Sequence, residues 1–255
     1  MGDELFLTLL RNPQSSVRPT GDYNQFWLDD GLVFENRTSQ IIDPPNGLLP
    51  PLTEEGARKL TAGLQATREH PADGPEDRLT QERCLTFGTA KVGNLQSRNN
   101  SFHQIIQTRD YVVLNSELIH QARIIPLDGR PHVDSRIRSW DGDSRGRWMG
   151  STLVIDTVNF SAQSPIRPKR GFPMGAEHVH LTERLTLVAA ETLRYEATVD
   201  DPTIWTRPWT AVTTWKRSAD QMFEYACHEA NYSLTGILRG ARAEEAAATS
   251  GTPPR

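Results

Sequence analysis

Three stretches of this chain gather side chains able to move protons. In the first, His178–Val188 alternates as a strand. One face carries Val179, Leu181, Glu183, Leu185 and Leu187, and the other His178, His180, Thr182, Arg184 and Thr186. Glu183 therefore falls in the apolar row. A carboxylate facing an apolar interior must be paired or resist ionisation, and the second option makes a general acid or base. The bland alternative is an ion pair with an inward arginine such as Arg123. The second stretch is Glu117-Leu-Ile-His120. Read as a strand, it sends Glu117 and His120 to opposite sides, so one of them faces a cavity and the other is a satisfied wall residue. On a helix the same spacing would put both on one face.

The third stretch, Tyr225-Ala-Cys-His-Glu-Ala-Asn-Tyr232, packs Cys227, His228, Glu229, Asn231 and Tyr232 together. A histidine base oriented by a carboxylate is its best chemical reading. Adjacent Cys and His diverge on a strand, and no C-x2-C or H-E-x-x-H partner accompanies them. The unreactive reading is a strand-to-helix junction with Asn231 capping the last helix. His178 and His180 share a strand face and would need a third ligand, His120, His132 or His228, to hold a metal. Otherwise they are an exposed polar face. The expected catalytic set is thus Glu117, His120, Glu183, His228 and Tyr225, with Tyr111 or Tyr225 steadying an oxyanion. Arg123, Trp205 and Trp209 join Tyr111 as expected substrate contacts, the tryptophans as a lid over the interior. No metal and no other cofactor is expected.

The elements that position these residues read as mainly β. The pattern predicts strands at His103–Thr108, Tyr111–Leu118, Ile119–Pro126, Thr152–Val158, His178–Val188, Leu193–Val199, Trp209–Arg217 and Met222–Glu229. Ala189-Ala190-Glu191-Thr192 reads as a hairpin loop, and Leu127–Pro131 as a turn. Residues 134–150 read as a charged, Gly-rich loop whose aspartates and arginines close one end of a barrel. A helix is expected over 53–68, with Thr53 as N-cap, Glu54 and Glu55 in the first turn, and Leu60 and Leu64 in contact. Another is expected over 234–247, followed by a disordered tail at 248–255. Residues 1–50 are proline-rich and read as an irregular arm, packed onto the body by Tyr23, Phe26, Trp27 and Phe34. Even strand spacing favours one antiparallel up-and-down barrel or sandwich over 1–245, with a cupped interior, rather than βαβ units.

Composition narrows the function classes. Of 255 residues, 36% are hydrophobic and 24% charged, enough for a sizeable core. A net charge of -4 argues against nucleic-acid binding, and the Arg167, Lys169, Arg170 cluster reads as a solvated loop. G-x-G-x-x-G and Walker motifs are absent from the sequence, which lowers nucleotide-cofactor readings. Cys84 and Cys227 could pair, but a chain this long needs no staple, and two cysteines fit a reducing compartment. The N-terminal run is acidic and short of the roughly 20 residues of a membrane span. The expectation is a cytoplasmic protein with no membrane partner, a small apolar substrate or ligand, and an open oligomeric state.

Arg37–Pro45 (RTSQIIDPP), Ile124–His132 (IIPLDGRPH), Gly142–Trp148 (GDSRGRW), Leu153–Phe160 and Tyr225–Tyr232 (YACHEANY) together resemble a large bacterial family usually called hypothetical, common in soil organisms. The resemblance spans about residues 20–245 and implies no activity. Many of its members begin with a secretory leader, and this chain is expected to depart from that. At fold level the meander is similar to the calycin or lipocalin-like group, by analogy alone. The resulting expectation is a cofactor-independent acid–base enzyme, a lyase, isomerase or cyclase in specialised metabolism. A carrier of hydrophobic ligands and a histidine-based metalloenzyme are its rivals.

Overall fold

The structure is a computed structural model that describes residues 39–89, 102–164 and 177–250. The aromatic residues Tyr23 to Phe34, the Arg167–Arg170 cluster and residues 251–255 lie outside that set. Among the described residues, nine strands form two antiparallel sheets. The small sheet is β2 (His103–Gln107), β3 (Tyr111–Ser116) and β4 (Gln121–Pro126). The large sheet runs β1-β9-β8-β7-β6-β5, from β5 (Asp143–Met149), β6 (Thr152–Val158), β7 (His180–Ala189), β8 (Thr192–Asp200) and β9 (Trp209–Lys216), with β1 (Ile41–Asp43) on its far edge. The protein is therefore mainly β, a meander split into two sheets rather than a closed barrel.

Alternation builds the core. Leu153 and Ile155 on β6, Leu181 and Leu185 on β7, Tyr195, Ala197 and Val199 on β8, and Trp209 and Ala211 on β9 all point inward and are buried. Val112, Leu114 and Ile125 answer from the small sheet. The two sheets also meet through aromatic rings: His103 of β2 stacks on Trp215 of β9 at 4.6 Å, and Trp215 stacks on Tyr195 at 4.7 Å. At the other side, β4 runs beside β5 without a hydrogen-bonded ladder. Gly146 allows the close part of that approach, since a Cβ there would meet Leu127 Cδ2 at 2.6 Å and Ile125 Cγ2 at 2.9 Å.

Helix α1 (Glu54–Glu69) starts where the sequence places it: Thr53 Oγ1 accepts from Gly56 N at 2.9 Å. Thr53 N in turn donates to Ile204 O, which ties the helix start to the β8–β9 connection. Helix α2 (Tyr232–Ser250) buries no residue. It extends through part of the expected tail, and Asn231 does not cap it, because its amide donates to Glu82 O at 3.1 Å instead.

Four other expectations are corrected. Ile41–Asp43 forms β1 against β9, so the proline-rich arm is not wholly irregular: Val212 N donates to Gln40 O and extends the pairing. The Gly-rich 134–150 run contains β5, whose small Gly146 is what close packing on β4 requires. Met222–Glu229 is not a strand; it passes from extended chain into a bend and turn. Cys84 and Cys227 form a disulfide across 143 residues. The segment it fastens has no ladder, and the helix beyond it has no buried face, so a staple takes over what packing does elsewhere.

Candidate functional site

Polar side chains collect in three places, each fixed by strand geometry. Inside the sandwich, Arg123 of β4 reaches across to β7, where Nη1 donates to Glu183 Oε1 at 3.0 Å and Nη2 to Oε2 at 2.6 Å. Nη2 also contacts Ser144 Oγ of β5 and Thr157 Oγ1 of β6, at 3.0 and 3.2 Å. Tyr195 of β8 donates its hydroxyl to Glu183 Oε1 at 2.5 Å. Glu183, Tyr195 and Thr157 are 0% exposed and Arg123 5%. Burial works against the Arg123 charge, but the facing Glu183 carboxylate outweighs it and holds the guanidinium above its ordinary range. Of the two readings of Glu183, the ion pair with Arg123 is therefore the one realised: both carboxylate oxygens are engaged and neither meets solvent.

The second group lies where β3 turns into β4. The chain leaves β3 at Ser116 and makes a short 3-10 turn over Leu118–His120, so the expected continuous strand is interrupted. Ile119 has φ 59° and His120 φ 40°, a left-handed backbone that is costly for a β-branched, buried isoleucine. Cys84 and Ala230, also at positive φ, lie in the same corner and flank the disulfide. His120 is exposed, with Nδ1 3.0 Å from Tyr225 O, so an Nδ1–H donor there leaves Nε2 as the basic nitrogen. The exposed His228 ring lies 6.2 Å from it, centroid to centroid. Glu117 is 2% exposed; Oε1 accepts from Phe223 N at 3.0 Å and Oε2 has no partner among the described residues. Burial pushes the half-buried Tyr225 phenol up. Four of the five expected catalytic residues thus come together at one corner.

The third group covers the outer face of the large sheet and was missed from sequence. Arg145 Nη1 donates to Asp143 Oδ1 at 2.6 Å, and the other Asp143 oxygen takes His132 Nδ1 at 2.8 Å. His132 Nε2 meets Asp156 Oδ2 at 2.8 Å, and His180 Nε2 meets Asp156 Oδ1 at 2.5 Å. Burial alone would raise both aspartates. The bonds from Val133 N, His132 and Arg145 outweigh it at Asp143, those from His180 and His132 at Asp156, and both carboxyls sit below their ordinary value. The parity rule that placed His180 outward also places Asp156 outward on the neighbouring strand, so this contact was in principle legible. His178 goes elsewhere, 3.9 Å from Glu177. Among the described residues no group of three or more His, Cys, Asp or Glu is arranged to hold a metal.

A cleft of about 380 Å³ opens at the seam between β4 and β5, lined by Ala122, Arg123, Trp140, Asp141, Asp143 and Ser144 among others. Asp141 Oδ1 anchors its upper wall, accepting from Thr86 at 3.1 Å, Thr89 at 3.2 Å and Gln121. Gln121 directly follows His120, so the cleft and the histidine corner adjoin along β4. The expected substrate contacts divide. Arg123 lines the cleft. Tyr111 is exposed and 3.4 Å from Arg130, and Trp205 and Trp209 are core residues, 6% and 1% exposed, crossing edge-to-face at 6.2 Å. They form no lid: apolar burial claims both rings. Comparisons with protein-family models, curated proteins and solved structures give no match.

Proposed function

We propose that the protein is a cofactor-independent acid–base enzyme, of lyase, isomerase or cyclase type, acting on a small and largely apolar molecule. The observation that carries this reading is His120: an exposed imidazole on strained backbone, its Nδ1 engaged by the Tyr225 carbonyl and a second imidazole beside it. Such strain persists only where surrounding structure enforces it, and it gathers at working sites. His120 would act as the base through Nε2, His228 as the exchanging acid, and Tyr225 as a hydrogen-bond donor to a developing oxyanion. The adjoining cleft would hold the substrate body. Glu183 takes no part in this scheme; its role is to hold the two sheets together.

Kinship with the motif-bearing bacterial family belongs to the same proposal. What supports it is where the motifs lie: Ile124–His132 and Gly142–Trp148 border the cleft, and Tyr225–Tyr232 carries Cys227 and His228. The disulfide favours an oxidising compartment over the cytoplasm expected from sparse cysteine. No helix among the described residues is long and apolar enough to cross a membrane.

Deuterium incorporation into a panel of small ketones and enones, followed by mass spectrometry in heavy water, tests the chemistry. Exchange by the native chain that falls at least about a hundredfold in His120→Ala is the expected outcome, within the range that general acid–base catalysis contributes. Undiminished exchange in a folded His120→Ala chain removes the assignment. Tight binding without exchange would favour the carrier.

A further inference from the structure

One end of the large sheet is unlike the rest of the surface. The β5–β6 turn at Gly150-Ser151 and the β7–β8 turn at Ala190-Glu191 lie at the same end, because antiparallel hairpins separated by one connection return to the same side. The two hairpins are joined there by Thr152 and Thr186, whose hydroxyls are 2.8 Å apart. Their tips expose four large apolar side chains: Trp148 at 47%, Met149 at 52%, Leu187 at 60% and Val188 at 52%. Gly150 has φ +60°, and a Cβ built there would meet nothing within 4 Å, so that tip projects into open space.

The charges around the tips differ from the chain as a whole. The protein carries a net -4. Near the tips, β5, β8 and β9 carry Arg147, Arg194 and Lys216, followed by Arg217, against Glu191 and Glu196. Glu196 is paired with Arg194 at 2.8 Å, and Glu191 faces Arg217 at 3.8 Å. Arg147 and Lys216 have no acidic partner among the described residues. An apolar tip containing tryptophan, rimmed by uncompensated cations, is the pattern that membrane interfaces select. A stable protein partner would need about 800 Å² from each side, which two narrow tips with four apolar side chains do not offer.

We propose that this end of the large sheet docks on an anionic phospholipid surface, with Trp148, Met149, Leu187 and Val188 entering the interface and Arg147 and Lys216 meeting the headgroups. This revises the expectation of no membrane partner, which rested on the want of a spanning segment and so addressed crossing rather than surface contact. The inference is independent of the acid–base reading, whose residues lie elsewhere in the molecule.

The test is co-sedimentation of the full chain with phosphatidylcholine vesicles, with and without phosphatidylglycerol. Binding to the anionic vesicles is expected. It should weaken by about tenfold or more in high salt and in the exposed double variant Arg147→Glu/Lys216→Glu. Trp148→Ser/Leu187→Ser should abolish it while leaving the near-ultraviolet circular dichroism unchanged. Absence of sedimentation, or equal binding to both vesicles, overturns the proposal. So does a dimer in sedimentation velocity that Trp148→Ser/Leu187→Ser dissolves, which would assign the tips to a second copy. Should that apolar variant fold poorly, the charge-reversal pair decides alone, and unchanged binding by it overturns the proposal.

Discussion

Strands β6 and β7 carry two polar networks on opposite faces, built from neighbouring residues. Thr157 and Glu183 point inward to Arg123 and Tyr195; Asp156 and His180 point outward to His132 and, through it, Asp143. Each sets carboxylates against nitrogen donors. Burial separates them. Inside, a carboxylate is 0% exposed and both its oxygens are occupied, so its chemistry is confined to holding two sheets together. Outside, the His180 side chain is 50% exposed and Asp156 27%, so water competes for every bond. Ion pairs are held firmly in a low dielectric and loosely at a surface.

The sharpest way to break this comparison is to remove Arg123. Arg123→Ala strands the Glu183 carboxylate and should cost about 3–5 kcal/mol in urea unfolding. Arg123→Met combined with Glu183→Leu should recover most of that, since a buried pair replaced by apolar residues of similar volume is often close to neutral. A double variant as unstable as the single would mean the charges themselves are needed. Tyr195→Phe comes next. It deletes one hydrogen bond to a buried charge and should cost about 1.5–3 kcal/mol by the same measurement.

The outer network should respond far less. His132→Ala is expected to cost about 1 kcal/mol or less, as partly solvated ion pairs do, and a loss matching that of Arg123→Ala would erase the distinction between faces. The smallest expected effect is on pH dependence. Asp143 and Asp156 lie below their ordinary 3.8 in the folded protein, so each contributes stability that is present above that value and lost as pH falls through it. Asp156→Asn should lower the neutral plateau by about 1 kcal/mol or less and so flatten the acid limb of a stability–pH curve below about 3.8.

Period-two alternation made most of the scaffold legible. It placed Glu183 inward and His180 outward, and the hairpin at Ala189–Thr192 has the expected position, with Ala189 paired to Thr192. Had that register been carried down β8, it would also have put Tyr195 beside Glu183, since Leu185 faces Tyr195 and Glu183 faces Ala197. Alternation failed where the backbone leaves the strand. Glu117 and His120 do occupy opposite environments, buried and exposed, but a 3-10 turn with two left-handed residues separates them, and no local pattern marks an isoleucine for that conformation. The Tyr225–Tyr232 motif was recognisable as a concentration of polar groups, yet it reads as a strand and is held by a disulfide instead.

By itself, the sequence determined the β-rich class, the α1 N-cap at Thr53, most strand positions and the inward or outward sense of their side chains. These follow from backbone stereochemistry and from the cost of leaving apolar surface in water, both of which act within a few residues. Only the tertiary structure decided that Arg123 and Glu183 pair across 60 residues, that His120 and His228 meet, that Cys84 reaches Cys227, and that a cleft opens between β4 and β5. Each of these depends on segments far apart in the chain meeting in space. That arrangement is set by the fit of many side chains at once, which no short stretch of sequence contains.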